Sequence, residues 1–279
     1  MIKLEEALQT LKIPYTPQML AQFAAYMDGV LTWNEKVNLT RITEHDEFVI
    51  KHFIDSVICC AFDECRQAKT IVDVGTGGGF PGVPLAILLP DKQFTLIDSL
   101  QKRLKIIDEL CARTDIENVT TLHGRAEDLA AQPAYRQQFD LCVSRAVANT
   151  AVLAEYCLPF LKVGGYLLAY KGPDAATEAA EAKKAISLLG GSLTEIRGCN
   201  LAAYGLDHNI LIIKKVKDTP QNKGNSREIS EKSGNSVEGT LKIKVLRVFC
   251  CTKAHIARVG NVMISLSEKV CALQKGRKK

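Results

Sequence analysis

Two aspartates and a run of glycines mark the part of this sequence that could do chemistry. In IVDVGTGGGFPG (residues 71–82) an aliphatic stretch ends in Asp73, and five of the eight residues from 75 to 82 are glycine. A glycine-rich turn between a strand and a helix brings backbone close to a ligand. The dinucleotide fingerprint GxGxxG fails, because Phe80 stands where its third glycine belongs and Gly82 comes two residues late. A Walker loop fails as well, since no Lys-Ser/Thr follows the glycines. What fits is D-x-G-x-G, Asp73 to Gly77, with Asp98 closing the next apolar run 23 residues past Gly75. A carboxylate at the end of a second strand is placed to accept both ribose hydroxyls of a nucleoside. GRAEDL (124–129) puts Ala126 and Glu127 after the third strand, where an adenine ring would lie. Together these residues point to S-adenosylmethionine. The competing interpretation is a structural glycine turn with incidental acids.

The surrounding elements must hold these residues at strand ends. Short aliphatic runs at 70–74, 94–98, 119–123, 140–146, 165–171 and 209–216 alternate with segments of helical periodicity such as QKRLKIIDELCAR and TAVLAEYCLPFLK. Strands alternating with helices predict βαβ units and a parallel sheet covered on both faces, an α/β fold. Residues 1–65 read as helical: Leu20, Phe23, Met27 and Leu31 recur at helical spacing, and EFVIKHFIDSVICC does the same. Between those two helices NEKVNLTRIT is polar and irregular, with Thr43 the expected N-cap of the second and Asn38 expected to orient the loop. The divisions are a helical extension (1–66), a catalytic-type domain (67–216) and a tail (217–279).

The bulk numbers narrow the class. Apolar residues make up 47% and charged residues 24% of 279, the balance of a soluble globular chain. The most apolar stretch, 151–170, is interrupted by Glu155, Pro159 and Lys162, so no spanning helix is expected. The acidic N-terminus lacks a signal-peptide profile, and a cytoplasmic protein is the expectation. Ten cysteines are scattered without a CxxC pair or a histidine at ligand spacing, so neither disulfides nor a metal is expected; Cys142 and Cys157 read as small core residues. Charge is uneven: from Lys217 onward 14 basic face 5 acidic residues (net +9), while residues 1–216 hold 22 against 26 (net −4).

Several segments, in this order, resemble one family: WNEKVNLTRIT…HFIDSV (33–57), DVGTGGGFPGVPLAI (73–87), LIDSLQKR (96–103), GRAEDL, SRAVA (144–148) and YKGP (170–173). The chain is similar, over roughly residues 15–216, to the glucose-inhibited division protein B family of bacterial small-subunit (16S) rRNA (guanine-7-)-methyltransferases. The resemblance implies a class I methyltransferase fold, Rossmann-like, with a seven-stranded sheet whose last strand is antiparallel and an N-terminal helical extension. It implies S-adenosylmethionine as cofactor, 16S rRNA or the small ribosomal subunit as partner, and a monomer. By position, the family's cofactor contacts fall on Gly75, Phe80, Ala126, Glu127 and Arg145; the residues themselves add Asp73, Gly77 and Asp98.

Methylation at the imidazole-edge nitrogen of guanine meets an exposed lone pair with no proton to remove. Positioning and electrostatics then matter more than a general base. Consistent with this, no Asn/Asp-Pro-Pro-aromatic motif for an exocyclic amine follows the fourth strand, which runs into SRAVANT, and no Pro-Cys pair supplies a nucleophile. Arg145 is the residue expected to orient cofactor carboxylate, phosphate or guanine, against the alternative of a surface salt bridge. Lys171 is a weaker candidate for the RNA backbone, or a solvated lysine. His52 and Asp55, three apart on one helix face, are expected to hold two elements together. Lys102, Arg103 and Lys105 read as a solvated face.

The tail departs from the family, which closes on a short basic segment of the form PRKxGxPxKxPL. Residues 234–241, GNSVEGTL, admit codons that spell QGIPSKEPL with the preceding ones when read one nucleotide later. A frameshift from about residue 222 is one account; a basic tail that helps hold rRNA is the other. Two further functional alternatives stand beside the leading one: a methyltransferase of this fold acting on another substrate, and a non-catalytic nucleotide-binding regulator.

Overall fold

The computed structural model describes residues 1–220 except 146, 199 and 200. Residues 221–279 of the tail, including the segment read as a frameshift product and Cys250, Cys251 and Cys271, lie outside the described residues.

The chain opens with helices: α1 (Ile2–Thr10), α2 (Pro17–Asn34), α3 (His45–Phe48), a π turn (Val49–Ile54), α4 (Asp55–Val57), a 3₁₀ turn (Ile58–Ala61) and α5 (Asp63–Gln67). Strands and helices then alternate as β1 (Thr70–Val74), α6 (Gly82–Leu88), β2 (Gln93–Asp98), α7 (Gln101–Arg113), β3 (Val119–His123) and α8 (Ala126–Leu129). They continue as β4 (Phe139–Arg145), α9 (Thr150–Cys157), β5 (Leu161–Lys171), α10 (Ala175–Leu188), β6 (Gly191–Gly198) and β7 (Asn209–Lys215). The sheet order is β3-β2-β1-β4-β5-β7-β6; β1 to β5 pair in parallel and β7 runs antiparallel to both neighbours.

Alternation along the central strands builds two cores. Ile71, Leu141, Val143, Ile210 and Ile212 face the N-terminal helices with α6 and α7, while Val72, Cys142, Leu211 and Ile213 face α8, α9 and α10. Burial on both sides is why these runs are apolar without a break. The first core is sealed by Phe23, Phe48 and Phe53, with ring centroids 4.9 and 5.2 Å apart. Each such ring contributes about 1.5–3 kcal/mol on burial, so the N-terminal helices and the sheet share one core.

Three local expectations shift. The cap of α3 is Glu44 and not Thr43; its carboxylate accepts from the N–H groups of Asp46 and Glu47. The loop after α2 is organised by Asn34, whose Oδ1 accepts from Leu39 and Thr40 N–H at 2.8 and 2.9 Å, and not by Asn38. β6 falls in a stretch where no apolar run announces a strand. It is an edge strand with its residues from Ser192 to Ile196 exposed, so nothing selects an apolar side. No helix among the described residues is long and apolar enough to cross a membrane.

Candidate active site

β1 delivers Asp73 into the interior at the sheet's carboxyl end, fully buried. Its Oδ2 accepts from Thr76 Oγ1 at 2.7 Å and Gly82 N–H at 2.8 Å, while Oδ1 meets no partner among the described residues. Burial pushes this carboxyl up to about 6, against the pull of the Thr76 and Gly82 hydrogen bonds. An unsatisfied buried oxygen of this kind costs about 1–3 kcal/mol. A donor brought by a ligand or water would satisfy it.

The glycines after Asp73 serve different ends. Gly75 has φ +78°, and a Cβ there would lie 2.5 Å from Val147 Cγ2. At Gly79 (φ +92°) a Cβ would meet Tyr26 Oη at 2.2 Å, and that hydroxyl donates to Gly78 O at 3.0 Å. Gly77, by contrast, has nothing within 4 Å of its Cβ position, so the loop is open there. Its N–H donates to Asp98 Oδ2 at 3.0 Å, and Leu100 N–H donates to Oδ1 at 2.8 Å. Asp98 thus clamps the loop to the end of β2, with Arg103 3.6 Å away. Arg103 therefore leans onto this carboxylate, while Lys102 and Lys105 are exposed as expected. Two engaged lone pairs leave a carboxylate with acceptor capacity to spare. These strand ends border a cavity of about 540 Å³ lined by Gly75, Asp98, Gly124, Ala126, Glu127 and Val147, among others. Its size suits a nucleoside-sized ligand. The open loop, the ribose-side carboxylate and the orphaned Asp73 oxygen fit S-adenosylmethionine, which carries a ribose and an ammonium group.

A second cavity, about 480 Å³, shares Val147 with the first. Here the side chains come from distant segments. Arg145, ending β4, donates to Asp55 Oδ2 at 2.7 Å and to the Lys51 carbonyl at 2.8 Å, and lies 3.2 Å from His52 Nδ1. The ion pair is buried, with side-chain exposures of 15% and 3%, so Arg145 is no surface salt bridge. Asp55 Oδ1 lies 2.8 Å from His208 Nδ1 in the approach to β7. Burial pushes Asp55 up, but His208 and Arg145 together hold it below the usual carboxylate range. His208 is raised by the bond to Asp55. Burial, then the Arg145 charge, push His52 down to about 3, so it stays neutral, with Nε2 2.6 Å from Thr40 Oγ1. The π turn carries His52, a frequent feature of functional segments.

Lys171 is neither solvated nor free for a phosphate. Only 8% exposed, its Nζ donates to Ala148 O and Glu178 Oε2, both at 2.7 Å. Phe80 lies outside the walls of both cavities. It is buried, with His52 stacked at 4.4 Å and 8° on its ring and the Arg145 guanidinium 5.7 Å from its centroid.

Asp73, Gly75, Gly77, Asp98, Ala126 and Glu127 therefore gather at the first cavity or its loop, whereas Arg145 faces the second. Tyr26, Val147, Glu178 and His208 were not singled out by spacing; DHN before the last aliphatic run was a faint signal for His208. Cys59, Cys60, Cys65, Cys111, Cys142 and Cys157 are all buried thiols, and no His/Cys/Asp/Glu group among the described residues is arranged to hold a metal ion.

A family profile described as rRNA small subunit methyltransferase G matches residues 19–206. A ribosomal RNA small subunit methyltransferase G of Clostridium novyi (strain NT) is 49% identical over 218 residues, 78% of this chain and 90% of that one. Its namesake in Clostridium perfringens (strain 13 / Type A) is 41% identical over 239 residues, 86% of this chain and 98% of the other. Among solved structures, cofactor-bound Rv0187 from MTB aligns with a TM-score of 0.50 at 17% identity, covering 73% and 92% of the two chains.

Proposed function

The chain belongs to the rRNA small subunit methyltransferase G family, and from that premise we propose how its two cavities divide the reaction. The protein is a methyltransferase that uses S-adenosylmethionine to methylate small-subunit rRNA. In the reading proposed here, the acceptor is N7 of a guanine in 16S rRNA. The first cavity takes the cofactor and the second the guanine. The observation that carries this division is Val147, which lines both cavities, so that a donor in one and an acceptor in the other would meet beside it.

S-adenosylmethionine, when bound, supplies a methyl group activated on a sulfonium. The chain's own residues hold and orient. Asp98 and the Gly77 N–H fix the loop, and Asp98 retains acceptor capacity for a ribose. Ala126 and Glu127 line the same cavity. N7 of guanine carries a lone pair and no proton, so no base is needed, and alignment supplies the rate. Arg145 is locked by Asp55, the Lys51 carbonyl and His52, and offers its remaining N–H groups to O6 of the guanine, which leaves the N7 lone pair free for the methyl. Fixing the guanidinium beforehand removes reorganisation from the reaction itself.

The net charge of −4 over residues 1–216 gives the body no general affinity for a polyanion. Half-exposed Lys51 at the second cavity and exposed Arg125 at the first are cations available to a phosphate only in exchange for their acidic partners, Glu47 and Glu127. The test is transfer of labelled methyl from S-adenosylmethionine to small ribosomal subunits from cells lacking this gene, with mass spectrometric mapping. A 7-methylguanosine gained in the 16S rRNA supports the reading. Label on any other atom, or on tRNA or protein alone, removes it.

A further inference from the structure

We propose that Glu178, near the start of α10, is the residue that selects guanine, by accepting hydrogen bonds from its Watson–Crick edge. The proposal rests on the second cavity being the guanine site. Two carboxylates line that cavity, Asp55 and Glu178. Asp55 is committed on both oxygens, to His208 and to Arg145, and its side chain is 3% exposed. Glu178 differs. Its Oε2 accepts from Lys171 Nζ at 2.7 Å, Thr150 Oγ1 at 2.8 Å and Thr150 N–H at 3.1 Å. Its Oε1 accepts no hydrogen bond among the described residues, and its side chain remains 35% exposed.

Three donors on one oxygen fix the carboxylate plane and leave the other oxygen for a ligand. Lys171 also holds this carboxyl below its usual range, so the group is an anion and purely an acceptor at neutral pH. The cavity is thus bipolar. One cluster, around Arg145, Lys51 and His208, offers donors; the other, around Glu178, offers a carboxylate oxygen. Guanine carries the matching pattern. O6 and N7 are acceptors, and the adjacent edge presents the N1–H and the exocyclic N2 amine as donors. Adenine presents the reverse, an amine where guanine has O6 and a bare nitrogen at N1. With O6 on the cationic cluster and the N7 lone pair left free for the incoming methyl, guanine turns its donor edge to an acceptor, and Glu178 is the carboxylate with capacity left. Methylation of N7 spreads positive charge over the base, so the same anion also favours the product-like state.

The experiment pairs enzyme and substrate changes. Small subunits are assembled with 16S rRNA carrying inosine, which lacks the N2 amine, in place of the mapped target guanine. Single-turnover methylation is measured for the wild-type protein, Glu178→Gln and Glu178→Asp. The expected result is that wild type methylates the inosine substrate on the order of 10- to 100-fold more slowly, the magnitude of one lost charge-assisted hydrogen bond. Glu178→Gln should be slowed to a similar degree on guanine and then distinguish guanine from inosine less than threefold. Glu178→Asp, which keeps the charge beside Lys171 but draws the oxygen back by one methylene, should fall between. Cofactor affinity within threefold of wild type shows that the variants are folded. A Glu178→Gln protein that keeps the full preference for guanine overturns the proposal. So does a wild-type protein indifferent to inosine, a result that needs no variant to fold. Failure of the guanine-N7 reading itself registers earlier, in the mapping, when no 7-methylguanosine is found.

Discussion

The two cavities that share Val147 are made of different materials. The cofactor side is largely backbone: glycine N–H groups, strand ends, and two aspartates close in sequence to the loop they hold, within nine residues for Asp73 and 21 for Asp98. The other cavity relies mainly on side chains, tied by hydrogen bonds spanning 90 residues from Arg145 to Asp55 and 153 from His208 to Asp55. A backbone cradle is set by local conformation and binds a ligand common to many reactions. A side-chain constellation depends on the whole fold being in place, and it is where substrate choice resides.

If that contrast holds, damage to each cavity should separate donor from acceptor binding. The largest effect is expected at Gly75→Asp. It forces a non-glycine residue to φ +78° against Val147 and adds a carboxylate near buried Asp73. Strain and charge repulsion together should weaken cofactor affinity on the order of a thousandfold, read by calorimetry. Unchanged affinity would mean that the loop is not the cradle.

Arg145→Ala strikes the other cavity. It strands a buried Asp55 carboxylate, which should lower stability by about 3 kcal/mol in denaturant titration. Methylation should be lost while cofactor affinity changes less than about threefold, the size of a minor or indirect contact. A large loss of cofactor affinity would instead place Arg145 on the cofactor, as the family resemblance implied.

Protonation offers a finer probe of the cofactor side. Asp73 sits at about 6, above its unfolded value, so the folded, ligand-free protein binds this proton more tightly than the unfolded chain. Stability contributed by this group is therefore present at low pH and declines as pH rises from about 4 to 6. A cationic ligand group requires the ionised form, so cofactor affinity should climb about tenfold per pH unit below 6 and level off above it. Asp73→Asn should flatten that profile in calorimetry run across pH 5 to 7.

The smallest effect is expected at His208→Gln. Its pKa is raised by Asp55, so the bond's contribution is fully present below the ordinary histidine value and is lost as pH rises through the higher folded one. Urea midpoints measured from pH 6 to 9 should fall in the wild type over that window. The fall should be absent in the variant, with little change in cofactor binding.

Much of this was legible from residue order because the signals were local. The central aliphatic runs became strands because burial on both faces leaves few polar positions in them, while β3, at the sheet edge, is only partly buried. Phe80 in place of the third fingerprint glycine already argued against a dinucleotide. What stayed hidden was set by partners. Arg145 is expected at the site from its strand end and Lys171 reads as a weak candidate or a solvated lysine, yet each is held by an acid, Asp55 or Glu178, that no spacing rule connects to it. β6 escaped detection because an exposed edge strand has no face to bury. Gly79 looked like part of the ligand cradle, but the space it clears is filled by Tyr26 from α2.

The sequence by itself determined the α/β alternation, the D-x-G-x-G loop, the carboxylate at the end of β2 and the family, since strand periodicity and turn conformation depend on near neighbours. Tertiary structure alone decided the second cavity. Antiparallel β7 inserts between β5 and β6, and the N-terminal helices share a core with the sheet, which brings His208, Asp55 and Arg145 onto one wall. That meeting comes from long-range packing, where the free energy of burial is earned by surfaces and not by spacing along the chain.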